Sequence, residues 1–281
     1  AGLSEAIAFS SSDAFLQSLR TLQEKGFEFP LAIHTDPKGP HFLHILISWV
    51  WEQGKTLLQG VNELNFDALV KACEKFFYAL QQFTPKRYPL SWEEAEARFI
   101  KGEASVLICG AERPYIWKQS GSVTPAFLSQ LGAAPIPGIP WVGGTNLAIW
   151  KYTQIDVLTE RQALKFVEYL VSSPVQQRLA ASGLLPTRQD ALAHLPDPNS
   201  RWTQAIIYTV QNGRSYPPSA LWGRIESSFR LTFERLLRDV LEDNEHVSEV
   251  VRFHLRALAH QLCFLLPPKE ESRIFAYKLA S

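Results

Sequence analysis

Apolar positions in the first part of the chain follow helical and strand patterns in turn. The stretch "SSSDAFLQSLRTLQEKG" has apolar residues at helical spacing, Ser and Asp as N-cap residues, and Gly26 as a stop, which predicts an amphipathic helix. The short stretch "PLAIH" after it predicts a strand, and Phe42–Trp51 predicts the next helix. Because buried strands alternate with helices, the pattern predicts an α/β fold.

The middle of the chain continues this alternation. "FDALVKACEKFFYALQQF" repeats apolar residues every three or four positions, which predicts a long helix. Ser91 and Glu94 form a capping-box pattern before a helix that ends at Lys101, and an apolar strand ending at Gly110 follows. In "AAPIPGIPWVGGTNLAIWK" a Pro/Gly-rich crossing leads into what we expect to be a further strand.

The second half of the chain has an almost wholly helical pattern. Recurring apolar positions predict five helices, over Thr159–Ser172, Pro174–Ser182, Ser200–Asn212, Trp222–Asp243 and Val247–Phe264. "PPKEESRIFAYKLAS" at the end has the composition of a solvated tail. No stretch reaches the roughly 18 consecutive apolar residues of a membrane helix, and the first residues lack the pattern of a signal peptide.

Charge and motif content narrow the classes of function. Lys plus Arg and Asp plus Glu both number 28, so no excess of positive charge favours nucleic acid, and neutral ligands are favoured over polyanions. Cys73, Cys109 and Cys263 lack CxxC spacing, which argues against a zinc knuckle or a disulfide framework. Nucleophile elbows, P-loops, GxGxxG turns and HExxH motifs are absent. We therefore do not expect an enzyme, and we expect no cofactor.

Histidines are concentrated in "IHTDPKGPHFLHILISW". His41 and His44 are three residues apart and share a helical face, with His34 and Asp36 just upstream, so four ligands of types that zinc accepts are within reach of one another. Imidazole also donates and accepts hydrogen bonds, which suits a ligand rich in hydroxyl groups. A metal site and one wall of a pocket for an uncharged ligand both remain open from the residues alone.

Four further stretches carry a family resemblance. They are "SWEEAEARFIKGEASVLICG", "APIPGIPWVGGTNLAIWK", "ALKFVEYLVSSPVQQRLAASGLLPTR" and "YPPSALWGRIESSFRLTFERLL". In order and spacing they resemble the carbohydrate-binding solute-binding proteins of ABC importers, the group that includes maltose-binding protein. The resemblance covers nearly the whole chain except the tail. It implies a type II periplasmic-binding-protein-like α/β fold with a helix-rich C-terminal half.

The resemblance also implies a division into lobes. Residues 1–142 correspond to a second-lobe α/β segment, 143–195 to a crossing segment that contributes to the first lobe, 196–266 to helices that return to the second lobe, and 267–281 to the tail. Family members begin with a segment that forms most of the first lobe, and nothing here matches it. The chain would then be a fragment, be completed by another chain or segment, or be a reduced domain with another role.

Candidate ligand-binding residues follow from the same resemblance. Sugars present apolar ring faces and a rim of hydroxyl groups, which aromatic platforms and polar side chains accommodate. Trp222 stands where family members often place a stacking aromatic, although it could instead anchor its helix in the core. Gly143 and Gly144 match paired glycines that let backbone approach a ligand, and Thr145 and Asn146 would add polar contacts.

Other positions depart from the family pattern. Family members often carry GPW where this chain has Ala111, Glu112 and Arg113, so we expect Glu112 to contact ligand and Trp117 to replace the missing aromatic. The histidine-rich stretch corresponds to a loop and helix start that reach into the ligand cleft. It adds four candidates, which are Asp36, His41, Phe42 and His44.

These expectations define a function. The resemblance implies a non-catalytic solute-binding protein, periplasmic or extracellular, that holds a carbohydrate or polyol between two lobes and presents the closed state to an ABC transporter permease. Two alternatives remain: a sensory or protein-interaction domain of the same fold that has lost transport, and a metal-binding protein that uses the histidines.

Overall fold

The chain folds into two compact units. The computed structural model describes residues 2, 4–36, 41–59, 63–86, 89–144, 146–149, 157–216, 221–242 and 246–265. Unit 1 combines Ala1–Ile108, Ile136–Trp141 and Arg214–Ser281, and unit 2 combines Cys109–Pro135 and Val142–Gly213. Both units are therefore assembled from separate stretches of chain. The lobe boundaries expected at residues 142, 195 and 266 stay a prediction.

Helices dominate the described residues, with a small amount of sheet. In chain order the elements are α1 (Glu5–Ala8), α2 (Ser12–Glu24), β1 (Leu31–Ile33), α3 (His41–Glu52), β2 (Leu58–Gln59), β3 (Glu63–Leu64), α4 (Phe66–Phe83), α5 (Trp92–Ile100), β4 (Val106–Ile108), α6 (Arg113–Ser120), α7 (Pro125–Gln130), α8 (Val157–Leu170), α9 (Ser173–Ala181), a 3₁₀ helix (Gln189–His194), α10 (Arg201–Asn212), α11 (Trp222–Glu242) and α12 (Val247–Leu265). None of the helices in the described part of the chain is long and apolar enough to span a bilayer.

The strands of unit 1 form two pairs. β1 and β4 are parallel, with Ile33 opposite Ile108, whereas β2 and β3 form a short antiparallel pair. The strands predicted from "PLAIH" and before Gly110 are thereby confirmed. Since the two parallel strands end at the same edge, the chain after Ile33 and the chain after Ile108 leave the sheet together.

Helix caps follow the sequence signals. Ser11 caps α2 by accepting a hydrogen bond from the backbone of Ala14, and Asn65 caps α4 in the same way. The predicted capping box of α5 is confirmed, because the Ser91 and Glu94 side chains each accept a hydrogen bond from the other residue's backbone N–H. These caps satisfy N–H groups that the first turn of a helix leaves without a partner.

Unit 1 has an extensive apolar core. α4 packs against α3, α11 and α12, and α11 packs along α12. Phe77 of α4 is fully buried and contacts Phe76 and Phe233, with ring centroids 5.5 and 5.8 Å away. Aromatic side chains therefore join the helix in the middle of the chain to the helices near its end.

All regular secondary structure in the described residues of unit 2 is helical, and its core is smaller. Tyr115, Ala180 and Ile206 are among its buried residues. The Tyr115 hydroxyl lies 2.6 Å from the Thr203 hydroxyl, which donates to the carbonyl of Pro196. This network links α6 to α10 in the interior of unit 2.

The strand predicted after Gly144 does not form in the residues that the structure describes there. The sequence after Gly144 was expected to form a strand, but residues 146–149 have no regular secondary structure, and Leu147 and Ile149 are exposed. A strand requires a hydrogen-bonded neighbour. No described residue of unit 2 lies in a strand. For residues 146–149 the prediction was therefore wrong, because the residue pattern indicates a strand but does not supply its neighbour.

The Tyr115 hydroxyl allows a test of the core of unit 2. We expect Tyr115→Phe to lower the free energy of unfolding by about 1–2 kcal/mol, since it removes a buried hydrogen bond to Thr203. Burial raises the pKa of Tyr115, so the folded state keeps the phenol protonated where the unfolded chain ionises. Tyr115 therefore contributes its full share of the free energy of unfolding below the unfolded pKa of about 10. This share is lost as the pH rises further.

Urea denaturation of both proteins between about pH 8 and about pH 11 measures this contribution. The stability of the variant is expected to fall less steeply above about pH 10, because it lacks the buried phenol. Equal losses of stability in the two proteins over this range would contradict the assignment.

Candidate ligand-binding surface

Five aromatic side chains of unit 1 form a connected cluster, here called the aromatic group. Its members are His44, Trp51, Trp141, Tyr216 and Trp222. The rings of His44 and Trp141 are stacked with centroids 3.5 Å apart, and the Tyr216 ring lies 4.0 Å from that of Trp222. Tyr216 is also 5.9 Å from His44 and 6.2 Å from Trp51, so it is the centre of the cluster.

Three parts of the chain position these rings. His44 and Trp51 lie two helical turns apart on α3 and so share one face of the helix. Trp141 pairs with Arg214 in an isolated parallel bridge, in which the Arg214 N–H donates to the carbonyl of Pro140 at 2.9 Å. Tyr216 follows that bridge by two residues. The backbone bridge therefore brings distant stretches of sequence to α3.

The aromatic group combines partly exposed rings with buried polar atoms. Trp51 is buried, while the other four side chains are half-buried. Tyr216 Oη and Trp141 Nε1 are buried and have no hydrogen-bond partner among the described residues. Burial, with a smaller effect from Glu226, raises the pKa of Tyr216 well above its ordinary value, so the phenol is neutral and able to donate.

This chemistry suits a neutral ligand with apolar faces and hydroxyl groups. Aromatic rings offer flat apolar surfaces on which a ring can stack. The indole N–H donates, and the phenol and the imidazole both donate and accept. Leaving a buried donor without a partner costs about 1–3 kcal/mol, so a hydroxyl group that reached Tyr216 or Trp141 would recover part of that cost.

Two of the predicted ligand-binding residues, His44 and Trp222, lie in the aromatic group. They come from α3 and from the first residue of α11, and both contact Tyr216. Far apart in sequence, they are neighbours in the fold. Their role in binding stays a prediction.

Two other predicted residues lie inside the apolar interior. Phe42 is buried and meets Phe76 edge-on at 5.6 Å. Trp117 in unit 2 is 3% exposed and meets Phe127 edge-on at 6.4 Å. These are the environments of core aromatics, and they favour packing over ligand contact at both positions.

The paired glycines lie on the surface of unit 2. Gly143, Gly144 and Asn146 are all exposed, whereas Thr145 lies outside the described residues. A Cβ added at Gly144 would have no heavy atom within 4 Å, so packing within the protein does not require glycine there. Backbone at this position is exposed, and its role in ligand binding stays a prediction.

Glu112 precedes the first turn of α6 in unit 2. It makes no side-chain hydrogen bond to the start of that helix, and its side chain is half-buried. Its carboxylate folds against Gly110, where an added Cβ would collide with it. Gly110 therefore provides the space that the Glu112 side chain occupies.

The residues after β1 have well-defined surroundings. His34 is buried and stacks on Trp92 at 4.6 Å. The next residue, Thr35, exchanges hydrogen bonds with the backbone of Leu90, and its backbone N–H to Leu90 oxygen distance is 2.9 Å. Asp36 follows and is half-buried. These contacts hold the chain in place as far as the start of the predicted loop.

The histidines do not come together as a metal site among the described side chains. His34 and His44 stack on different tryptophans. No group of three or more His, Cys, Asp or Glu residues that could hold a metal lies in the described part of the chain. The His41 side chain lies outside the described residues, although its backbone begins α3.

Three members of the aromatic group were not predicted individually. Trp51, Trp141 and Tyr216 are separated by long stretches of sequence, and no local motif joins them. The available signal was the position of two of them beside proline, in "GIPW" and "SYPP". Aromatics beside Pro often line pockets, but that pattern alone does not say which ones meet.

Comparison with known proteins gives matches at the level of structure. No family model and no curated protein matches the sequence. The sugar-binding protein MalE from Xanthomonas citri is 22% identical, with a TM-score of 0.68, and the match covers 96% of this chain and 65% of that one. Maltose-bound MalE3 from T. maritima is 19% identical, with a TM-score of 0.68, over 92% of this chain and 66% of that one.

A third neighbour is the maltose/maltodextrin-binding domain MalE from Bdellovibrio bacteriovorus, bound to maltotriose. It is 20% identical, with a TM-score of 0.63, over 90% of this chain and 66% of that one. The chain thus spans slightly less than two thirds of the length of these three proteins. The predicted fold class is confirmed: the chain has the type II periplasmic-binding-protein fold of the MalE-like solute-binding proteins.

Proposed function

We propose that this protein is a non-enzymatic, solute-binding component of an ABC importer and that its ligand is a carbohydrate or polyol. The observation that carries the proposal is the aromatic group, in a fold whose neighbours bind sugars. The T. maritima protein binds maltose and the Bdellovibrio domain binds maltotriose. Partly exposed rings with neutral polar atoms beside them are what such ligands require.

The proposal assigns a role to each member. Trp222 and Trp141 offer ring surface for the apolar face of a sugar, and Tyr216 offers a neutral hydroxyl group that donates and accepts. Balanced charge over the whole chain fits an uncharged ligand. Gly143, Gly144 and Asn146, which are exposed on unit 2, are proposed as further ligand contacts through backbone and amide groups.

Further parts of the proposal concern partners and place. The permease of an ABC transporter would receive the ligand-bound protein in a periplasmic or extracellular setting. In this arrangement residues 1–142 and 196–266 belong mainly to one lobe, and residues 143–195 contribute to the other.

Trp222→Ala tests the proposal. Isothermal titration calorimetry with maltose, maltotriose and a panel of other saccharides is expected to detect binding to the wild-type chain. The variant is expected to bind the best of these at least about tenfold more weakly, a loss of about 1.4 kcal/mol, because a stacking surface is lost. Trp222→Phe, which keeps a ring, is expected to retain most of the affinity.

Phe253→Ala is the matched control, since Phe253 is an exposed aromatic of α12 outside the aromatic group. Thermal denaturation of each variant separates loss of binding from loss of folding. Full affinity in Trp222→Ala would exclude the aromatic group as the sugar surface, and absence of binding to every saccharide would contradict the proposed function of this chain.

A further inference from the structure

The helix α10 ends at the dipeptide Asn212–Gly213. Asn212 is the only asparagine in the sequence that is followed by glycine. Because glycine has no side chain, nothing on that residue shields its backbone nitrogen from the asparagine side chain. The nitrogen of Gly213 and the side-chain amide carbon of Asn212, Cγ, can therefore close a small, unstrained ring, which is a cyclic imide.

Two hydrogen bonds engage the reacting groups while the helix is closed. Nδ2 of Asn212 donates to the carbonyl of Tyr208 at 2.9 Å, and the N–H of Gly213 donates to the carbonyl of Thr209 at 2.8 Å. These bonds direct both groups back along the helix. The last turn of α10 must therefore open before the nitrogen of Gly213 can reach Cγ of Asn212.

The end of α10 has few contacts with the core of unit 2. Thr203 and Ile206 are the buried residues of this helix, and both lie in its first half. Tyr208, Gln211 and Asn212 are exposed. A helix end with few buried contacts opens locally at a small cost in free energy. A fraction of the molecules is therefore open at any time, and in these molecules the two groups can meet in water.

We propose that Asn212–Gly213 is a site of spontaneous modification to aspartate and isoaspartate. The nitrogen of Gly213 gives up its proton and attacks Cγ of Asn212. As the new C–N bond forms, the bond between Cγ and Nδ2 breaks, and Nδ2 leaves with a proton as ammonia. Water then opens the imide. Cleavage between the Gly213 nitrogen and Cγ gives aspartate, and cleavage between that nitrogen and the main-chain carbonyl carbon gives isoaspartate.

Isoaspartate lengthens the main chain beside the backbone bridge of unit 1. The chain then runs through Cβ and Cγ of the modified residue, which adds a methylene group just before Gly213. Arg214 comes next, and its N–H donates to the carbonyl of Pro140 at 2.9 Å in the bridge with Trp141. A longer connection changes where the Arg214 N–H lies relative to Pro140, so isoaspartate is expected to weaken the bridge.

The modification thereby reaches the aromatic group through the main chain. Tyr216 follows Arg214 by two residues, and its ring lies 4.0 Å from that of Trp222. Loss of the bridge removes the backbone contact that places Tyr216 beside Trp222. The modification itself does not depend on the proposed function, since it needs only the end of α10 and water.

Peptide mass spectrometry of the protein during incubation in mildly alkaline buffer tests the site. Asn212 is expected to change from amide to acid at least about tenfold faster than Asn199, a difference of about 1.4 kcal/mol in activation free energy. Asn199 is the matched control, because it is also exposed but is followed by serine. Protein unfolded in urea is expected to convert Asn212 faster still, since the two hydrogen bonds of α10 are then absent.

Two variants test the chemistry. Gly213→Ala is expected to slow the conversion of Asn212 at least about tenfold, because its methyl group shields the nitrogen. Gly213 has a φ of −78° and a ψ of 171°, which alanine adopts without strain. Asn212→Gln is expected to prevent the conversion, because its longer side chain would have to close a larger ring.

Near-ultraviolet circular dichroism tests the effect on the aromatic group. The spectrum of the wild type is expected to change as isoaspartate accumulates, whereas Asn212→Gln keeps its spectrum over the same incubation. Freshly purified Asn212→Asp is also expected to keep the wild-type spectrum, because it adds the charge without lengthening the main chain.

Three results would overturn parts of the proposal. Conversion of Asn212 no faster than that of Asn199 would exclude the site. Equal rates in folded and unfolded protein would show that opening of α10 does not control the reaction. An unchanged spectrum in protein that contains mainly isoaspartate at position 212 would exclude the effect on the aromatic group.

Discussion

Gly138→Ala is expected to lower the free energy of unfolding by about 3 kcal/mol. Gly138 has a φ of +93°, in the left-handed region, which costs a residue with a Cβ about 1–2 kcal/mol. The added Cβ would also lie 2.6 Å from the carbonyl oxygen of Ser48 and 3.2 Å from Cβ of Glu52. Overpacking of this kind typically adds a cost of about 1–3 kcal/mol.

The segment around Gly138 has little freedom to move away. The N–H of Ile139 donates to the same Ser48 carbonyl at 3.3 Å, so relief of the overlap would break that bond. Urea denaturation of wild type and variant measures the loss. Gly102→Ala is the control, because Gly102 has a φ of +75° but no heavy atom within 4 Å of an added Cβ. A loss in Gly138→Ala no larger than in Gly102→Ala would refute the steric part of the explanation.

Phe77→Ala is expected to cost about 3–5 kcal/mol, because it leaves a cavity in a core where the removed ring was fully buried. The ring contacts Phe76 on its own helix and Phe233 on α11, so the loss weakens the contact between α4 and α11. Calorimetry or urea denaturation measures the change, together with loss of near-ultraviolet circular dichroism if the aromatic packing loosens.

Phe253→Ala serves as the matched control for burial. Phe253 is 71% exposed on α12, so the same change of side chain there is expected to alter stability by less than about 0.5 kcal/mol. If both variants lost similar stability, burial in the core of unit 1 would not be the cause. A loss below about 1 kcal/mol in Phe77→Ala would mean that neighbouring side chains fill the space.

Local signals predicted the long elements of the fold and missed those that depend on distant contacts. α4 was predicted because its apolar repeat and its length lie within one stretch of sequence. α6 and α7 were not predicted, since each is too short to show a clear apolar repeat. The strand expected after Gly144 failed for a different reason, because strand formation depends on a neighbour that sequence pattern does not reveal.

The candidate site was predictable only in part for the same reason. Trp222 and His44 were predicted from a family resemblance that assigned each a place. Their proximity depends on Tyr216, and the position of Tyr216 depends on the backbone bridge between Trp141 and Arg214. No spacing in the sequence encodes that bridge, so the cluster as a whole became visible only in the folded chain.

The assembly of unit 1 from separate stretches of chain has a consequence for biosynthesis. In its core α4 packs against α11 and α12, but α11 and α12 are synthesised only after all of unit 2. While the ribosome synthesises residues 109–213, the apolar side of α4 has no partner from the end of the chain. The emerging chain therefore exposes Phe77 and its neighbours until Phe233 is available, a period in which chaperone binding competes with aggregation.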